Sequence, residues 1–142
     1  MTAAQHAIDF SGVGQVFRTA SGALEALRGV DMTIGRHEFV AVLGPSGCGK
    51  STLLRLTSGL IRPTSGVVSV FGLAVTEPRD DIGIVFQKPT LLPWASVEDN
   101  VVFPVRHKTG RVTPEDRANA RIIIEKVGLA GFEARLPAEL SG

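Results

Sequence analysis

The chain has 142 residues, 44% hydrophobic and 20% charged, which suits one soluble globular domain with a sizeable core. With 15 basic against 14 acidic residues the formal net charge is +1, which argues against nucleic acid as a partner. The single cysteine, Cys48, excludes an internal disulfide. The first ten residues lack a secretory leader pattern and no apolar run nears the ~20 residues of a membrane span, so a cytoplasmic compartment is expected, with any membrane link made through a partner.

In chain order, residues 7–10 and 13–17 predict two short strands broken by Gly12 and Gly14, and residues 19–22 a polar loop. Residues 24–34 alternate Val30, Met32 and Ile34 with Asp31 and Thr33, the pattern of a half-buried strand. After a turn at Gly35, Arg36 and His37, the apolar run FVAVL (39–43) predicts a buried central strand. A glycine-rich loop follows at once, then a helix over 50–58 with Gly59 as its stop. Residues 62–66 form a turn, and 67–71 and 82–86 (IGIVF) predict further strands. Ser96 caps a short helix running toward Pro104. Thr113 caps a second with Pro114 at its first position, ending at Val127 before Gly128. Strands in the first third and helices in the last indicate an α/β chain with a helical region attached.

The loop Gly44-Pro45-Ser46-Gly47-Cys48-Gly49-Lys50-Ser51 fits G-x-x-x-x-G-K-[ST]. Glycines let the backbone wrap a phosphate and aim N–H groups inward, and the helix start adds free N–H groups and its positive dipole end. Lys50 supplies a mobile charge for β- and γ-phosphates, and the Ser51 hydroxyl can ligate Mg²⁺. Cys48 reads as a small loop residue, since no base for a nucleophile accompanies it. Asp80 to Gly83 matches D-x-x-G, but no apolar strand precedes it and no N-K-x-D follows, which weighs against a GTPase. His6, His37 and His107 have no motif around them and are expected at the surface.

Four segments in this order, GPSGCGKSTLLRLTSGL (44–60), PTSGVVSVFG (63–72), IGIVFQ (82–87) and PAELSG (137–142), resemble the nucleotide-binding subunits of ABC transporters. KPTLLPWASVEDNV (88–101) is similar to the nitrate, sulfonate and taurine group of importers. The resemblance implies an α/β P-loop NTPase fold: the RecA-like core of an ABC nucleotide-binding domain, with an antiparallel β region and part of the helical subdomain. It implies one incomplete domain over 1–142, with the β region and core in 1–87 and the helical subdomain in 88–142.

Site roles follow by resemblance. Residues 44–51 hold the phosphates of ATP and Thr52 faces the α-phosphate. Gln87 joins Ser51 at Mg²⁺ and senses the γ-phosphate. Phe17 stands where the family places an adenine-stacking aromatic, with core packing as the other reading. Ser141 and Gly142 contact ATP on a second ATP-binding subunit in a head-to-tail dimer. Leu91, Leu92 and Trp94 lie where such subunits dock the transmembrane permease, although Trp94 packed inside its own chain is an open alternative. A substrate-binding protein is an indirect partner, and the site of action is the cytoplasmic face of the membrane.

The sequence departs from the family pattern at its end, which falls inside the signature motif. The apolar strand carrying the aspartate and the general-base glutamate has no counterpart. Ile122-Ile123-Ile124-Glu125 imitates it, but its place between Pro114 and Gly128 makes Glu125 a solvated helix charge. The expectation is therefore ATP binding with poor hydrolysis by this chain alone, and an open sheet edge beside the P-loop strand. The other readings left open are a non-catalytic nucleotide-binding or docking fragment, and a different P-loop enzyme.

Overall fold

A computed structural model describes residues 6–20 and 22–140. The chain divides into two compact units, Met1–Ile84 and Val85–Gly142.

The first unit rests on two long antiparallel strands, β1 (His6–Thr19) and β2 (Gly22–Gly35). Strand β3 (Ser65–Val70) pairs with the other edge of β1, and β4 (Leu73–Ala74) adds to β3, giving the order β2-β1-β3-β4. The two short strands expected before residue 18 are thus one strand. Gly12 and Gly14 shift its register rather than end it, because its pairing with β2 slips between Phe10 and Val13 and again before Gln15. Gly12 takes φ 57 and its N–H reaches Asp31 Oδ1 at 2.6 Å, while Gly14 O accepts from Thr64 N at 2.9 Å, so the irregular backbone still finds partners.

Helix α1 (Lys50–Thr57) lies against this sheet. Leu56 is fully buried and Leu53 half-buried on a core of Phe10, Val13, Leu27, Val68, Val70 and Val75. Leu54, on the opposite side, is 62% exposed. This one-sided burial follows the 3.6-residue period and fixes which way the helix start points. Val30, Met32 and Ile34 on β2 are half-buried, with Gly29, Asp31 and Thr33 beside them exposed, as their alternation predicts.

Two expected strands are not strands here. Residues 39–43 form no ladder, and Phe39 is 94% exposed. Residues 82–86 are likewise unpaired, with Val85 97% exposed. Apolar composition alone does not make a strand. The hydrogen-bonded state needs a neighbouring backbone, and none of the described residues supplies one to either run.

The second unit is helical. Helix α2 (Val97–Thr109) is capped by Ser96, whose Oγ accepts from Asp99 N at 3.1 Å. It runs past Pro104, where the sequence suggests a stop, and ends at Gly110. Proline removes one backbone bond, but Pro104 lies exposed and the rest of the helix is held by buried Val97 and Val102. The free N–H groups of the first turn are also met, since Val97 N donates to Arg135 O and Glu98 N to Glu133 O, each at 2.9 Å.

Helix α3 (Pro114–Lys126) opens with a full capping box between Thr113 and Asp116 and buries Ala120 and Ile124. Glu98 joins the helices: its carboxylate accepts from Arg117 Nη1 and, at 2.8 Å, from Arg121 Nε. These guanidinium partners, Arg121 foremost, hold the Glu98 carboxyl below its ordinary range. A short 3-10 helix (Pro137–Glu139) closes the described chain. Among the described residues no helix is long and apolar enough to cross a membrane.

Candidate phosphate-binding site

The loop over 44–49 ends on Gly49, the N-cap of α1, at φ 95 and ψ 2. A β-carbon there would stand 2.8 Å from both Ala26 O and Leu27 Cδ2. Both the left-handed backbone and the close approach of β2 therefore require glycine at this position. Gly49 has no side chain to cap the helix, so the first-turn N–H groups keep their hydrogen-bonding capacity.

Among the described residues the amides of Ser46, Gly47, Gly49, Lys50 and Ser51 donate to no protein acceptor, whereas Cys48 N reaches Pro45 O at 3.4 Å and Thr52 N reaches Gly49 O at 2.9 Å. A row of uncommitted donors at a helix start is a concave anion site by geometry and by dipole. Lys50 Nζ donates to Gly44 O at 2.8 Å and Pro45 O at 2.6 Å, and lies 3.5 Å from Cys48 Sγ. The ammonium group thus curls back to the start of the loop that leads into its helix. Its stem lines a cleft of about 450 Å³ with Ile8, Phe10, Met32, Val40 and Leu53.

The hydroxyl of Ser51 makes no hydrogen bond among the described residues, unlike Thr57 and Ser58, which bond back to Leu53 O (3.0 Å) and Arg55 O (3.1 Å). An uncommitted hard oxygen at the end of a phosphate loop suits Mg²⁺, which takes one or two protein ligands and fills its remaining positions with phosphate oxygens and water. The described residues contain no group of three or more His, Cys, Asp or Glu side chains able to hold a metal by themselves.

The other expected site residues divide among several places. Phe17 is half-buried on β1, opposite Leu24. Gln87 is exposed in the second unit, and Ser141 and Gly142 lie outside the described residues. Leu91 is exposed, Leu92 half-buried and Trp94 75% exposed. Glu125 is exposed on α3, and Cys48 is exposed and unpaired. Two polar groups carry no sequence motif, Asn100 and the Glu98–Arg117–Arg121 cluster, because their partners are backbone outside any motif or another helix.

The G-x-x-x-x-G-K-S loop opening into a helix start marks a P-loop NTPase, and the antiparallel sheet beside it is the β region expected of an ABC nucleotide-binding domain. Residues 27–142 match the ABC transporter family. The chain belongs to that family. It is 48% identical over 130 residues to the taurine import ATP-binding protein TauB of Burkholderia thailandensis, covering 92% of this chain and 50% of the relative. It is 42% identical over 128 residues to the aliphatic sulfonates import ATP-binding protein SsuB 2 of Burkholderia lata, covering 90% of this chain and 45% of the relative. The fold matches the dimeric post-hydrolysis structure of the ATP-binding cassette MJ0796 bound to ADP and Pi. The TM-score is 0.81 at 30% identity, over 94% of this chain and 63% of that one. The chain spans about half the length of the curated relatives it matches.

Proposed function

We propose that this chain is the ATP-binding portion of an ABC importer subunit for taurine, another sulfonate, nitrate or a similar small substrate. The row of uncommitted amides at the loop and the start of α1, with Lys50 Nζ held at the loop carbonyls, carries the nucleotide-binding step, and the likeness to taurine and sulfonate import ATP-binding proteins supports the importer role. The amides and the helix dipole take the β-phosphate, Lys50 exchanges its carbonyl partners for β- and γ-phosphate oxygens, and Thr52 lies toward the α-phosphate. Ser51 would hold Mg²⁺, which would offset the charge of the phosphate oxygens. Gln87 is proposed as a further oxygen ligand, Phe17 as the adenine platform, and Ser141 and Gly142 as contacts to ATP on a second subunit. The exposed Leu91 and Trp94, with Leu92 behind them, form the face for a transmembrane permease, which supports a place on the cytoplasmic side of the membrane. A substrate-binding protein acts through that permease.

Calorimetric titration of Mg²⁺–ATP into the chain tests the binding step. Saturable binding is expected, lost in Lys50→Ala. Equal binding by both forms, or by neither, overturns it. A second reading, binding without efficient turnover, is favoured by Glu125, which stands exposed on α3 rather than at a strand end. Phosphate release at the rate of a full-length importer subunit, abolished in Lys50→Ala, would exclude that reading.

A further inference from the structure

We infer that Asn100 is the positioning residue of the Trp94 turn, fixing the shape in which Leu91 and Trp94 meet their partner. The inference rests on the proposal that this loop docks a permease.

Residues 92–95 form a four-residue turn, closed by Ala95 N donating to Leu92 O at 3.1 Å. Pro93 occupies its second position, where a fixed φ suits a turn, and Trp94 its third. Trp94 is therefore carried at a corner and is 75% exposed. So exposed a side chain gains little orientation from packing, which leaves the backbone of the turn to set where it points.

The side chain of Asn100, on the first turn of α2, ties down both ends of that corner. Its Oδ1 accepts from Leu92 N at 2.7 Å. Its Nδ2 donates to Leu92 O at 3.1 Å and to Ala95 O and Ser96 O at 3.0 Å each. An amide has two N–H groups, so three acceptors share them and nothing of the donor capacity is left over. Asn100 N itself donates to Ser96 O at 2.9 Å, and the Ser96 hydroxyl caps the same helix turn. The corner is thus fastened to a helix whose first turn is anchored independently by Glu98.

The chemistry is specific to asparagine. Aspartate keeps the acceptor for Leu92 N but loses every donor. Leucine keeps the approximate volume and loses both. A preformed turn reduces the ordering cost of association, so loosening it weakens binding without removing a contact atom.

Trp94 is the only tryptophan in the chain, so its fluorescence reports on this turn alone. Time-resolved anisotropy of the 142-residue chain is expected to show fast Trp94 motion growing from wild type to Asn100→Asp to Asn100→Leu, with helix content unchanged by circular dichroism. Unchanged fast motion in Asn100→Leu overturns the inference. If that variant does not fold, unchanged motion in Asn100→Asp does so instead.

A second arm sediments each form with inverted membrane vesicles carrying the permease of a taurine importer. Asn100→Leu is expected to bind about tenfold more weakly than wild type, with the Trp94 side chain still present. A loosened Trp94 with undiminished vesicle binding, where Trp94→Ala loses binding, also overturns the positioning role. If Trp94→Ala binds as well as wild type, the docking proposal itself fails, while the anisotropy series still decides whether Asn100 holds the turn.

Discussion

Truncating Leu56 to alanine tests how the core sets the phosphate loop. Leu56 has no solvent exposure and sits on the sheet core, about two helical turns beyond the loop. The change removes three carbons, worth about 2.4 kcal/mol at ~0.8 kcal/mol per buried methylene. The unfilled space adds a cavity term that brings the total to about 3–5 kcal/mol. Leu54 supplies the control, since it lies on the same helix at 62% exposure, and Leu54→Ala is expected to change stability by no more than about 0.5 kcal/mol. Because the chain has two units, global unfolding is not assumed to be a single transition. Native-state hydrogen exchange read on the α1 peptide isolates the relevant opening, with urea unfolding followed by circular dichroism alongside. Leu56→Ala is expected to lower α1 protection and to weaken Mg²⁺–ATP binding with it, since the amides of Lys50 and Ser51, proposed to meet phosphate, belong to that helix. Equal effects of the two leucine substitutions would refute the assignment of a buried and an exposed face to α1. A destabilised Leu56→Ala that retained full nucleotide affinity would break the link between core and loop.

Three further outcomes are expected. Gly49→Ala forces alanine to φ 95 and drives its β-carbon against Ala26 O, so a loss of at least about 1–3 kcal/mol is expected in urea unfolding, with loss of ATP binding by calorimetry. Thr113→Ala removes one side of the capping box and is expected to cost about 1 kcal/mol, read as faster hydrogen exchange in the first turn of α3. Glu98 has a folded pKa held below its unfolded value of about 4.3, so its contribution is complete above that value and is lost as pH falls through the folded pKa. Urea midpoints of α2–α3 between about pH 5.5 and 3 are therefore expected to fall more steeply in the wild type than in Glu98→Gln, and parallel slopes would contradict the clamp.

Much of this protein follows from local rules acting on the sequence. The loop motif is written in eight consecutive residues, because the left-handed turn at Gly49 and the donors that follow it are local, whereas the approach of Ala26 and Leu27 that also requires glycine there comes from the fold. The caps at Ser96 and Thr113 and the stops at Gly59 and Gly128 are legible for the same reason, and the alternation on β2 reports a two-residue period directly. Tertiary structure decided what depends on distant partners. FVAVL and IGIVF have the composition of strands, yet pairing requires another backbone, and that is not encoded in the run itself. Gly12 and Gly14 became register shifts because β2 and the residues around Thr64 lie on either side of β1 to receive them. The Glu98 cluster required two helices to pack, and the grip of Asn100 on Leu92 and Ala95 required the turn to fold back over the helix start. A side chain's role is readable in sequence when its partners lie within a turn or two; beyond that, the fold chooses the partners.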